Sequence, residues 1–83
     1  MSSIFLTVVR KYIYMKYENK FKDILKELRV ERNLGQVELA KAIGVSKGVI
    51  SLWENGLREP TMYSLILLAE FFNVSIDELV GLK

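Results

Sequence analysis

Residues 36–55, QVELAKAIGVSKGVISLWEN, decide how the whole chain is read: two short helices joined by a tight turn. In the first, Leu39, Ala40 and Ile43 fall at i, i+1 and i+4, one apolar stripe of a helical repeat. Gly44 follows, a residue that adopts positive φ without steric cost and so can stop a helix. Val45 is then an apolar plug for the turn. Ser46 is a good cap for a second helix that buries Val49 or Ile50 together with Trp53. Ala40 matters by its size, because helices crossing at about 90–120° approach closely only where little more than a Cβ intervenes.

Working outward, a helix is expected from about Asn19 or Lys20 to Glu31, with Phe21, Ile24, Leu25 and Leu28 as its buried stripe. Glu18 and Lys22 form a favourable i, i+4 pair on it. Asn33 tolerates the left-handed conformation and ends that helix, with Leu34 tucking back into the core. Downstream, Asn55 and Gly56 are both suited to positive φ after the second helix of the central pair. Thr61 caps a helix from about Met62 to Phe72, in which Leu65, Leu68, Ala69 and Phe72 account for the core stripe. Ser75 and Glu78 form a capping box opening a last helix that stops at Gly81. Five helices and no required strand make an all-α domain over 19–83 whose centre is a helix-turn-helix.

Residues 1–18 stand apart as an N-terminal arm. The apolar run Ile4–Val9 is too short to span a membrane, and with no basic residues ahead of it it makes a poor signal peptide. Three readings of the arm stay open: an extended β-ribbon over Ile4–Tyr14 that pairs with another subunit or packs on the domain, a mobile tail, or an arm touching DNA through Arg10 and Lys11. Met15 also begins a chain of ordinary length for such a domain, so residues 1–14 are open to reading as a misassigned start.

The chain has 83 residues, room for one core, and neither Cys nor His. That excludes a disulfide framework, a thiolate nucleophile and a Cys- or His-based metal site, and no carboxylates fall at metal-loop spacing. No cofactor is expected, and an intracellular, cytoplasmic setting is compatible with this composition. Net charge is only +2, but eleven of the twelve Lys and Arg residues lie between Arg10 and Arg58. After Pro60 the acids Glu70, Asp77 and Glu78 face Lys83 alone. Such polarity lets one end meet phosphate.

From about Phe21 to Leu82 the chain resembles the Cro/repressor-type (XRE, lambda-repressor-like) DNA-binding domain. The likeness rests on Gln36-x-x-Leu39-Ala40, Ile43-Gly44-Val45-Ser46 and Ile50-Ser51-x-Trp53-Glu54-Asn55-Gly56. It continues in Arg58-x-Pro60, Leu65-x-x-Leu68-Ala69 and Val74-Ser75-x-Asp77-Glu78-Leu79. The resemblance implies a structural ion pair between Arg29 and Glu54, and a phosphate-holding, helix-bracing role for Gln36. Two positions depart from the family pattern: Gly35 replaces the usual Ser or Thr cap, and Gly48 replaces a frequent base-reading residue.

A docked helix-turn-helix puts the N-terminal half of its second helix in the major groove. Here that surface is Ser46, Lys47, Gly48, Val49, Ser51 and Leu52. Lys47 can donate to guanine O6 or N7, or to a phosphate; Val49 and Leu52 suit thymine methyl groups; Ser51 is an ambiguous reader. Asn55 and Arg58 follow the helix and should reach flanking phosphates. A face so thin in bidentate readers leaves part of specificity to DNA shape.

The helix after Thr61 is more apolar than one buried face requires. Tyr63, Ile66, Leu67 and Phe71, with Leu79, Val80 and Leu82, are the expected homodimer contact. The expectation is a dimeric, double-stranded-DNA-binding repressor with no membrane or small-molecule partner. Its rivals are an antitoxin-like regulator docking a partner protein through that helix, and an interaction domain that has lost DNA binding. No catalytic constellation is present.

Overall fold

The structure, a computed structural model, describes residue 4 and residues 20–82. The arm readings and the Glu18–Lys22 pair lie outside the described residues, except that Ile4 is helical and exposed. Within residues 20–82 five helices follow in order: α1 over residues 20–31, α2 Gln36–Ile43, α3 Lys47–Glu54, α4 Met62–Phe72 and α5 Ile76–Val80. Among the described residues there is no strand.

The termini show why these segments stop where they do. Ser46, Thr61 and Ser75 each accept the backbone N–H of the residue three further on, from Val49, Ser64 and Glu78 respectively. Ser75 and Glu78 complete the capping box. Each helix then ends with an N–H reaching back five residues: Leu34 to Arg29, Val45 to Ala40, Leu57 to Leu52, Val74 to Ala69 and Leu82 to Asp77. The residue before each of these is at positive φ: Asn33, Gly44, Gly56, Asn73 and Gly81. This closure needs one left-handed residue, and Asn or Gly supplies it at low cost. After α3 only Gly56 turns left-handed. Asn55, though suited to positive φ, stays at φ −96°, ψ 1°.

The core draws on every helix. Phe21 and Leu25 of α1 meet Leu39, Ala40 and Ile43 of α2, Ile50 and Trp53 of α3, Leu68, Ala69 and Phe72 of α4, and Leu79 of α5. Phe21 and Trp53 pack edge to face with centroids 6.4 Å apart. Ala40 is 3% exposed, so its small side chain is spent on the helix crossing.

Three expectations change in α4 and α5. Ser64 joins the buried stripe beside Leu65, which is half-buried and packs against the core; the Ser64 hydroxyl and N–H both bond Thr61 Oγ1, which removes the cost of burying them. Leu67 and Phe71 are half-buried and pack against the core edge, Phe71 edge to face on Phe72, so the free apolar face of α4 is narrower than its composition suggests. Leu79 is fully buried and is therefore a core residue, unavailable to a dimer contact.

Candidate nucleic-acid interface

The framework beneath the candidate surface is a hydrogen-bonded carboxylate. Arg29 Nε donates to Glu54 Oε2 at 2.7 Å and Nη2 to Oε1 at 2.9 Å, a two-pronged match of planar groups. Arg29 Nη1 donates to the Leu34 carbonyl at 2.8 Å, fixing the α1–α2 turn. Gln36 Nε2 adds a third donor to Glu54 Oε1 at 3.2 Å. The side chains are 12% and 4% exposed, so water competes little. The Glu54 hydrogen bond raises the Arg29 pKa above its ordinary value, against burial, which lowers it; the Glu54 and Glu38 charges add to the rise. One carboxylate thus ties α1, the start of α2 and the end of α3 together.

Gln36 is half-buried and spends one amide hydrogen on this brace, leaving the other hydrogen and its backbone N–H for an outside acceptor. At Gly35, φ −79° and ψ 171° are ordinary cap values, but no side chain accepts from the first turn of α2. The leading N–H groups of α2 are therefore left to solvent or a ligand. Glu38 offsets some of that attraction, since its carboxylate accepts the Gly35 N–H at 3.2 Å.

Across the turn, Ser46, Lys47 and Gly48 are exposed on the first turn of α3, while Val49, Ser51 and Leu52 are half-buried. Val49 also packs on the core, so only part of it faces out. Lys47 and Arg58 are exposed and neither enters a hydrogen bond or ion pair among the described residues. A Cβ added at Gly48 would meet only Ser46 Oγ at 3.8 Å, so nothing within the chain demands glycine there. Asn55 is committed locally: its amide nitrogen donates to the Ser51 carbonyl at 2.8 Å and to Ser51 Oγ at 3.3 Å. In the free chain those bonds occupy the amide expected to reach a flanking phosphate.

Of the surface assigned to a second subunit, Tyr63 is 71% exposed and Ile66 39%. Val80 is half-buried and Leu82 exposed. Sequence reasoning missed Leu57 and Met62, both large, apolar and among the most exposed side chains described. The signal was present, since an apolar residue in a polar loop and one at the first turn of a helix have no core to enter. Elsewhere, a groove of about 250 Å³ has an apolar floor of Ile24, Leu28 and Val74 and a rim of Glu27, Glu31 and Glu78, the wrong charge for a polyanion. Among the described residues no group of three acidic side chains converges to hold a metal ion, and no helix is long and apolar enough to cross a membrane.

A helix-turn-helix family model matches residues 25–79. The chain is 44% identical over 62 residues to the HTH-type transcriptional activator BcrR of Enterococcus faecalis, covering 75% of this chain and 30% of that protein. It is 42% identical over 61 residues to the cryptic phage CTXphi transcriptional repressor RstR of Vibrio cholerae, covering 74% of this chain and 55% of RstR. Among solved structures, a transcriptional regulator from Listeria innocua superposes with a TM-score of 0.71 at 34% identity, over 74% of this chain and 57% of that one. The chain thus spans about half or less of the length of these relatives.

Proposed function

The chain belongs to the helix-turn-helix family, and from that premise we propose that it is a small sequence-specific DNA-binding regulator of transcription, acting as a dimeric repressor in the cytoplasm. Its work is binding rather than catalysis, with no cofactor or small-molecule effector. The observation that carries this is the exposed first turn of α3, where Lys47 stands uncommitted, together with the uncapped N-terminus of α2, which is held at the other end of α3. One helix end offers a partial positive charge and free N–H groups to a phosphate, and the other presents a side chain to base edges.

In this reading α3 lies in the major groove. Lys47 donates to a guanine or a phosphate, Val49 and Leu52 offer apolar contact to thymine methyls, and Ser46 and Gly48 let the backbone come close. Gln36 and the α2 N–H groups hold one phosphate, and Arg58 a second beyond the end of α3. The second subunit packs on Tyr63 and Ile66, joined by Met62 and flanked by Leu82; exposed apolar area of this kind in a small domain favours a partner. The same patch would serve an antitoxin-like contact with another protein, and sedimentation of the pure chain separates the two.

The test is a gel shift of the full chain on random-sequence duplex DNA at two salt concentrations. Binding at low salt that weakens as salt rises supports the reading, and no shift at low salt overturns it.

A further inference from the structure

Ser51 is polarised by its neighbour one turn on. The Ser51 carbonyl can only accept, so the Asn55 atom 2.8 Å from it is the amide nitrogen, and that same nitrogen lies 3.3 Å from Ser51 Oγ. One lone pair of the hydroxyl is therefore occupied by an N–H. The Ser51 hydroxyl proton has no acceptor among the described residues, although a serine in this position often returns it to the carbonyl one turn back. An oxygen that accepts a hydrogen bond becomes a better donor through its own proton. Ser51 is half-exposed on α3, on the same line as Lys47 four residues earlier.

We propose that Asn55 is a positioning residue for base recognition: it fixes Ser51 as a hydrogen-bond donor, so that this position of α3 selects a base-edge acceptor in the major groove. The acceptors there are guanine O6 and N7, adenine N7 and thymine O4; the cytosine amino group is disfavoured. This rests on the DNA-binding reading above. It also gives Asn55 a different task from a phosphate clamp, because the amide hydrogens face the helix and not the backbone of a duplex.

The experiment selects bound duplexes from a random library with the wild-type chain, then measures affinity for the selected duplex, for single-position variants of it and for scrambled DNA. The proteins are wild type, Ser51→Ala, Asn55→Ala and the double variant. Both single variants should lose about three- to tenfold in preference at the same base pair, the range of one neutral hydrogen bond, with little change on scrambled DNA. The double variant should lose no more than either single one. Losses for Asn55→Ala that are equal on all DNAs, with a shallower salt dependence and additivity with Ser51→Ala, would overturn the proposal in favour of a phosphate contact. Retention of the base preference in Asn55→Ala would also overturn it. No enriched sequence with the wild type would instead overturn the DNA-binding reading beneath it.

Discussion

Glu54→Ala should be among the most destabilising single changes in this chain. It removes the acceptor of three hydrogen bonds, at 2.7, 2.9 and 3.2 Å, and leaves Arg29 charged at 12% exposure with only the Leu34 carbonyl as a partner. Breaking a buried pair from one side costs about 3–5 kcal/mol. The surviving Leu34 bond and the residual exposure of Arg29 place this case near the lower figure. In a domain of this size each kcal/mol moves the midpoint by about 4–8 °C, so about 3 kcal/mol predicts a drop of roughly 12–24 °C. The sign with pH is settled by Arg29. Its folded pKa lies above its ordinary value, so its contribution is complete below that ordinary value and fades only as pH rises through the higher folded one. Raising the pH from neutrality through mild alkali should therefore leave the gap between variant and wild type unchanged. The assay is thermal unfolding followed by far-ultraviolet circular dichroism, with the double variant Arg29→Met, Glu54→Leu as companion. The double variant should recover most of the loss, because replacing both partners by apolar groups strands no charge. A Glu54→Ala midpoint within about 2 °C of wild type would refute the reasoning.

The two glycines that break the family pattern each give a test. Gly35→Ser should raise stability by a few tenths of a kcal/mol in denaturant melts, because its backbone is already a cap conformation and only the mobile Glu38 carboxylate must move. Gly48→Ala should also stabilise, by up to about 1 kcal/mol, since α3 has room for the Cβ; if the helix backbone sits against the groove, the same change weakens DNA binding. Tyr63→Glu should shift the sedimentation profile towards monomer without lowering the melting midpoint, because Tyr63 is 71% exposed and touches little of its own core. Arg58→Ala should weaken binding equally on operator and scrambled DNA and reduce the salt slope by about 0.9 per subunit.

The fold was legible because each helix boundary is written locally. Ser46, Thr61 and Ser75 are caps wherever they stand before a helical stripe, and Gly44 and Gly81 end helices for the same backbone reason. The Arg29–Glu54 pair joins residues 25 apart, and only the family resemblance pointed to it. What composition could not settle was the rotation of α4. Its sequence MYSLILLAEFF is apolar on nearly every side, so periodicity does not say that Ser64 turns inward beside Leu65. The answer depends on Thr61, which gives Ser64 a partner. Leu79 was misplaced for a related reason: α5 is only five residues long, too short for a stripe to show its inner face. At the candidate site, residue types were readable but their commitments were not. Gln36 proves to share its amide between Glu54 and the outside, and the Asn55 amide is bonded to Ser51, neither of which the residue type announces.

The central claim is that the first turn of α3 reads DNA, and Lys47→Ala measured on two duplexes tests it most directly. Fluorescence anisotropy of the wild type and the variant, on a selected operator and on scrambled DNA across a salt series, separates base contact from charge. The account predicts a loss of about 1–3 kcal/mol on the operator and little on scrambled DNA. Equal affinities of variant and wild type on the selected operator would contradict it, because α3 would then not enter the groove by its first turn.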